Sequence, residues 1–126
     1  MKRKNFVLFV LASFFIALCW VVSCSAKATA QSAETLSAKG DEYLESGKFD
    51  NAINSYTQAI RQDPDYLPAY VNRGHSYFLM GDHDNATADY TKAIQLYPND
   101  IMLFYYLRTS YMEKGDYDKA LWLPLQ

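Results

Sequence analysis

The sequence has few cysteines, prolines and glycines, and it carries no excess of positive charge. Its two cysteines, Cys19 and Cys24, lie within the first 24 of 126 residues, so the remaining chain cannot form an internal disulfide. All 14 Asp and Glu residues follow Cys24, together with nine Lys and Arg residues, which gives this portion a net charge of about −5. A net acidic chain disfavours nucleic acid as a partner.

Motifs of the common catalytic and metal sites are also missing. The sequence contains no Cys and His spacing typical of metal ligands, no recognisable order of Ser, His and acid, and no Gly-rich phosphate loop. We therefore predict that the chain is not an enzyme and that it uses no cofactor and no metal.

The N-terminus has the three parts of a secretory signal in the required order. Lys2, Arg3 and Lys4 precede an apolar run of 17 residues from Phe6 to Val22, which is interrupted only by Ser13, and small and polar residues follow. The sequence therefore predicts export to the cell envelope, with the folded part facing the periplasm or the outside.

Residues 21–24, VVSC, resemble the lipobox of bacterial lipoproteins. The resemblance implies that Cys24 receives diacylglycerol and becomes the first residue of the mature protein. Two alternatives remain open. Cleavage after Ala30 would follow the small-x-small rule, and the apolar run is near the lower limit of about 17–25 residues for an uncleaved transmembrane anchor.

A 34-residue repeat fills the rest of the chain. GKFDNAINSYTQAI begins at Gly47, GDHDNATADYTKAI begins at Gly81, and GDYDKALW begins at Gly115. Both the 34-residue period and the Gly, Tyr, Ala and Pro positions resemble the tetratricopeptide repeat family. The resemblance implies an all-α fold, a short solenoid of antiparallel helix hairpins, whose usual role is to bind other proteins.

This pattern divides the chain into a signal or anchor over 1–24, a flexible tether over 25–32 and a repeat domain over 33–126. The domain comprises two full units, 33–66 and 67–100, and a truncated third unit over 101–126. We expect Gly40 and Gly74 to lie where two helices cross closely, and Pro64 and Pro98 to end the second helices. The third unit departs from the pattern, because Arg108 replaces the small residue and Pro124 stops its second helix early.

Two aromatic positions are interpreted as packing residues. His83 stands between Asp82 and Asp84, but by the repeat period it aligns with Phe49 and Tyr117. We therefore expect it to pack rather than to bind a metal. We also expect Tyr77 to lie between the first and second units.

The family resemblance implies that the first helix of each unit lines a concave, peptide-binding face. In this sequence that face changes from acidic in the first unit to aromatic in the third. A clamp for a terminal carboxylate, as in chaperone-binding members of the family, is not predicted, since only one of its positions, Asn72, carries a suitable residue. The candidate groove residues are Asp41, Val71, Asn72, His75, Met102, Tyr105, Tyr106 and Thr109.

Two alternatives stay open at this point. Tyr105 and Tyr106 are also consistent with core residues of a terminal helix. Leu121 and Trp122 indicate an uncapped C-terminal end, through which the chain would dock as a structural subunit of a larger assembly or associate with itself. The first hypothesis remains an envelope-tethered lipoprotein adaptor that binds a peptide segment of a partner protein.

Overall fold

The computed structural model describes residues 31–123, and helices account for most of them. Residues 32–123 belong to one compact unit. The described residues form six helices: α1 (Ala33–Glu45), α2 (Phe49–Gln62), α3 (Leu67–Leu79), α4 (His83–Leu96), α5 (Ile101–Lys114) and α6 (Tyr117–Trp122). Each helix packs on the next, and α1 also contacts α3. The fold is therefore the expected all-α solenoid of helix hairpins. The predicted signal, lipobox and most of the tether lie outside the described residues, as does Pro124.

The helix boundaries follow from local sequence chemistry. The Ser32 hydroxyl accepts a hydrogen bond from the backbone N–H of Thr35 at 3.2 Å and so caps α1. The second helices α2 and α4 end two residues before Pro64 and Pro98, because proline disfavours helical geometry in the residue before it. The short α6 ends at Trp122, so the third unit has only about half of a second helix.

Three glycines reverse the chain within the hairpins. Gly47, Gly81 and Gly115 have φ values of 69°, 78° and 86°. This left-handed region is costly for residues that carry a Cβ atom. The repeat period therefore places glycine where each first helix turns into its second helix.

Gly40 and Gly74, which lie within the first helices, allow the two helices of each full unit to approach closely. A Cβ atom added at Gly40 would lie 2.5 Å from the ring of Tyr56, and one added at Gly74 would lie 3.0 Å from the ring of Tyr90. Both tyrosines are buried. The missing side chain thus provides the space that each ring fills.

The core consists of three apolar clusters that follow one another along the stack. The first joins Leu36 and Tyr56 of unit one to Ala69 of α3. The other two join unit two to α5. Tyr77 packs with Ala86, Tyr90 and Leu107, so the expectation that it lies between units one and two was wrong. This cluster is formed by residues of units two and three.

His83 packs as an aromatic residue, as its repeat position predicts. Its ring meets that of Phe78 edge-on, with 5.3 Å between the centroids. The buried Nδ1 atom has no hydrogen-bond partner within residues 31–123. In the same part of the chain, no helix is long and apolar enough to cross a bilayer.

Candidate peptide-binding face

Asp41 and Asn72, two predicted groove residues, are joined by a hydrogen bond. The Asn72 side-chain amide donates to Asp41 Oδ1 at 2.9 Å, and the Tyr56 hydroxyl donates to the same oxygen at 2.6 Å. Asp41 is half-buried in this arrangement. These hydrogen bonds therefore connect α1 to α2, its partner in the same hairpin, and to α3, the first helix of the next unit.

Among residues 31–123, no ion pair involves Asp41. Burial and then the hydrogen bond to Asp41 raise the pKa of Tyr56, so the phenol keeps its proton and remains a donor. The ion pairs in the described part of the chain join other residues. A negative charge held by neutral donors attracts a positive group from a ligand.

The middle of the face contributes one packed and one accessible side chain. Val71 packs against the cluster that contains Tyr70 and Leu103, whereas His75 is exposed. Of these two predicted groove residues, His75 is the more accessible to a ligand.

On α5 the two adjacent tyrosines have different surroundings. Tyr106 is half-buried and stacks on Tyr90 with 5.5 Å between ring centroids. Tyr105 is 57% exposed and meets Tyr106 edge-on at 6.0 Å. The alternative that these tyrosines are core residues therefore fits Tyr106 better than Tyr105. The accessible apolar surface at this end of the face comes from Tyr105 and Met102.

Thr109, the remaining predicted groove residue, is half-buried on the same helix. Its hydroxyl donates to the backbone carbonyl of Tyr105 at 2.9 Å. Because this hydrogen bond uses the hydroxyl hydrogen of Thr109, the hydroxyl oxygen remains available only to accept a hydrogen bond.

The predicted end-interface residues, Leu121 and Trp122, are 77% and 87% exposed. Beside them lies a cavity of about 200 Å³, lined by Arg108, Met112, Tyr117, Ala120 and Leu121. Arg108 stands where Gly40 and Gly74 stand in the full units. Its guanidinium donates to the carbonyl of Leu123 at 3.4 Å.

A buried ion pair in unit two was not found from the sequence. The Arg73 guanidinium forms two hydrogen bonds to Asp89, at 2.8 and 2.7 Å, and a third to the hydroxyl of Thr57 at 3.0 Å. It thereby connects α3, α4 and α2. Burial lowers the pKa of Arg73, but Asp89 outweighs this effect and raises it overall. Burial raises the pKa of Asp89, and the guanidinium opposes that rise.

The repeat itself contained the signal for this pair. The residues 34 positions later are Leu107 and Leu123, and Leu107 is buried. Leucine at both positions in unit three indicates that the equivalent residues of unit two can be buried, although Lys39, the equivalent of Arg73 in unit one, is exposed. Nothing comparable indicates a metal site, since no three His, Cys, Asp or Glu side chains converge within residues 31–123.

Comparison with known proteins identifies the repeat. The family described as TPR repeat matches residues 40–81, and the family described as tetratricopeptide repeat matches residues 68–100. Comparison with curated protein sequences gives no match.

Solved structures with this fold include several from tetratricopeptide proteins. A crystal structure of MamA is 31% identical with a TM-score of 0.70, over 71% of this chain and 49% of MamA. This chain therefore spans about half the length of that relative. The second TPR of Spaghetti (RPAP3), bound to the HSP90 peptide SRMEEVD, is 26% identical with a TM-score of 0.69, over 77% of this chain and 90% of the other. The TPR2B domain of yeast Sti1, in complex with an Hsp70 peptide, is 29% identical with a TM-score of 0.67, over 71% of both chains.

Proposed function

We propose that this chain, which carries tetratricopeptide repeats, binds a peptide segment of a partner protein along the face formed by α1, α3 and α5. The observation that carries the proposal is the contrast between the two ends of this face. At one end, Asp41 presents a carboxylate that has no ion-pair partner among residues 31–123. At the other end, Tyr105 and Met102 expose apolar surface. Repeat proteins use such extended faces for binding.

The chemistry of the face specifies the ligand. A basic side chain placed near Asp41 would gain a charge-assisted hydrogen bond. Apolar or aromatic side chains would cover Tyr105 and Met102, because tyrosine buries a large area at low entropic cost. The proposed ligand is thus a segment with a basic residue toward α1 and apolar anchors toward α5.

This ligand differs from the peptide bound by a structural neighbour. The Spaghetti domain binds SRMEEVD, a segment with two glutamates and an aspartate near its end. Such a segment would bring carboxylates toward Asp41, and like charges repel. We therefore do not assign a chaperone tail as the partner, although the fold is shared.

Binding by groove variants tests the proposal. The full chain is used to capture its partner from native membranes, and mass spectrometry identifies the bound segment. Tyr105→Ala and Tyr106→Ala should each weaken binding of that segment by more than about 1 kcal/mol. Lys92→Ala, on the second helix α4, is the control and should bind like the parent. Circular dichroism must show that each variant is folded, above all Tyr106→Ala, which loses its stack on Tyr90. If folded groove variants bind like the parent, the proposed face is not the site.

The salt dependence of binding tests the role of the Asp41 charge separately. Asp41→Asn keeps an oxygen that accepts from Tyr56 but removes the negative charge. The affinity of the variant should depend less steeply on salt concentration than that of the parent, since a charge pair is screened by salt. An unchanged salt dependence would exclude Asp41 as the group that meets a ligand cation.

We further propose that a lipid on Cys24 holds the repeat domain at a membrane of the cell envelope. Support comes from the sequence alone, from the basic start, the apolar run and the VVSC motif. The mature protein should begin at a diacylated Cys24 and partition into detergent, and Cys24→Ala should abolish both properties. Intact-mass measurement of the exported protein checks this. An unmodified chain that begins at Gln31 would contradict it.

A further inference from the structure

One oxygen of the Asp41 carboxylate is fully used by the fold, and the other is free. The Tyr56 hydroxyl and the Asn72 amide both donate to Oδ1, and a carboxylate oxygen has about two positions that accept a hydrogen bond. Within residues 31–123, no hydrogen bond reaches Oδ2. In that part of the chain, the buried side-chain N and O atoms without a partner are limited to His83 Nδ1, so Oδ2 is open to solvent. Asp41 therefore offers a ligand one oxygen instead of two.

This arrangement limits how a cation can pair with Asp41. An arginine that pairs bidentately places one N–H on each oxygen of a carboxylate. At Asp41 the second N–H would meet Oδ1, where the Tyr56 hydroxyl and the Asn72 amide already donate. Three hydrogens with partial positive charge would then compete for one oxygen. The bidentate geometry that usually favours arginine is therefore not available at this carboxylate.

A lysine side chain suits the free oxygen better. Its ammonium group is a compact charge that donates to a single oxygen without a second contact in the same plane. Asp41 is half-buried, so the cation must also reach it on a long and flexible stem, which the lysine side chain provides. The amino terminus of a peptide has no such stem.

The repeat shows that this arrangement belongs to unit one. The residues 34 positions after Asp41, Tyr56 and Asn72 are His75, Tyr90 and Tyr106. There the ring of Tyr106 stacks on Tyr90, so an aromatic ring replaces the amide of Asn72. No hydrogen bond joins the Tyr90 hydroxyl to another residue of the described range. The cation of a ligand is therefore directed to the α1 end of the face.

We propose that the basic residue of the bound segment is a lysine, and that Tyr56 and Asn72 make Asp41 select lysine over arginine by occupying Oδ1. This inference rests on the proposed function and names the side chain that the face selects. Tyr56 and Asn72 are positioning residues, because they act through Asp41. Glu45, one turn further along α1, is exposed and attracts both cations in water, where pairing contributes little.

A peptide library provides the probe. Random peptides, acetylated at the N-terminus so that only lysine supplies an amine, are selected on the immobilised full chain in a mild detergent. Each basic residue of the selected peptides is then exchanged between lysine and arginine, and fluorescence anisotropy gives the Kd of both forms. For the parent, arginine should raise the Kd by at least about threefold, an effect of the size that one hydrogen bond contributes. Asp41→Asn should remove this difference.

Tyr56→Phe and Tyr90→Phe are matched variants that test the cause of the preference. Both tyrosines are buried, and both variants keep the ring and lose the hydroxyl, but only Tyr56 donates to Asp41. Tyr56→Phe frees one position on Oδ1, so arginine should bind it as well as lysine does or better. Tyr90→Phe should keep the preference of the parent. Circular dichroism must show equal helix content in all these proteins.

The outcomes separate this inference from the proposed function. A parent that binds the arginine peptides as tightly as the lysine peptides would overturn the selection of lysine. An unchanged preference in folded Tyr56→Phe would overturn the role of Oδ1. If the selected peptides bind Tyr105→Ala as tightly as the parent, the proposed face itself is contradicted, and the inference falls with it. Weaker binding by Tyr105→Ala without a preference for lysine would retain the face and refute the inference alone.

Discussion

Replacing Arg73 with alanine should lower the free energy of unfolding by about 3–5 kcal/mol, the usual cost of removing one partner of a buried ion pair. Asp89 would be left buried without its guanidinium, and Thr57 would lose its bond to α3. Thermal or urea unfolding followed by circular dichroism measures the loss. Arg61→Ala, at an exposed arginine of α2, should change stability by no more than about 0.5 kcal/mol.

Unit three indicates how this loss can be reversed. Leu107 and Leu123 occupy the positions of Arg73 and Asp89, and both pack in the third apolar cluster. The double variant Arg73→Leu with Asp89→Leu should therefore be much more stable than either single variant, because a well-packed apolar pair replaces a buried ion pair at little or no cost. Single losses below about 1 kcal/mol would show that the pair is well solvated and not a determinant of stability.

Replacing Tyr56 with alanine should cost about 3–5 kcal/mol of unfolding free energy. Its side chain is fully buried, fills the space above Gly40 and donates to Asp41. The variant loses ring contacts and also the shortest bond to the Asp41 carboxylate. Because small domains are only marginally stable, we expect it to be largely unfolded at room temperature. Tyr97→Ala is a suitable control, since Tyr97 is more than half exposed. A Tyr56→Ala melting temperature equal to that of the parent would contradict this packing.

Much of the fold could be predicted because the repeat specifies it several times. Glycine at 47, 81 and 115 indicated the turns, and Pro64 and Pro98 indicated the ends of the second helices. Each such residue acts on the backbone next to it, so no tertiary information was needed. His83 was interpreted correctly for a related reason, since its equivalents Phe49 and Tyr117 are aromatic.

Side-chain partners across helices were harder to predict. Arg73 and Asp89 look like surface charges in the sequence, and the equivalent of Arg73 in unit one, Lys39, is indeed exposed. The leucines at the equivalent positions of unit three indicate buried positions, but only the contacts in the structure show that the two charges pair. Tyr77 was assigned to the wrong neighbour because helical periodicity tells which face is apolar but not which adjacent unit that face meets. Asp41 was predicted as an acidic groove residue, but nothing in the sequence indicated that Tyr56 and Asn72 donate hydrogen bonds to its carboxylate oxygen.

These bonds link stability to the proposed function. Tyr56 connects the core to Asp41, and Asn72 of the next unit donates to the same oxygen. The carboxylate is therefore held in place before a ligand arrives, which lowers the entropic cost of binding. At the other end, Tyr106 is fixed by its stack on Tyr90 and supports the more exposed ring of Tyr105.

Site-specific photo-crosslinking in intact cells tests the central claim most directly. A photoreactive residue at Met102, on the proposed face, is compared with the same residue at Met80, which directly follows the end of α3 and is exposed to a similar degree. The proposal predicts that Met102 forms crosslinks to one partner protein, within a segment that has a basic residue and apolar anchors, and that Met80 does not. Equal crosslinking from both positions, or crosslinking to that partner from Met80 alone, would contradict binding along the face of α1, α3 and α5.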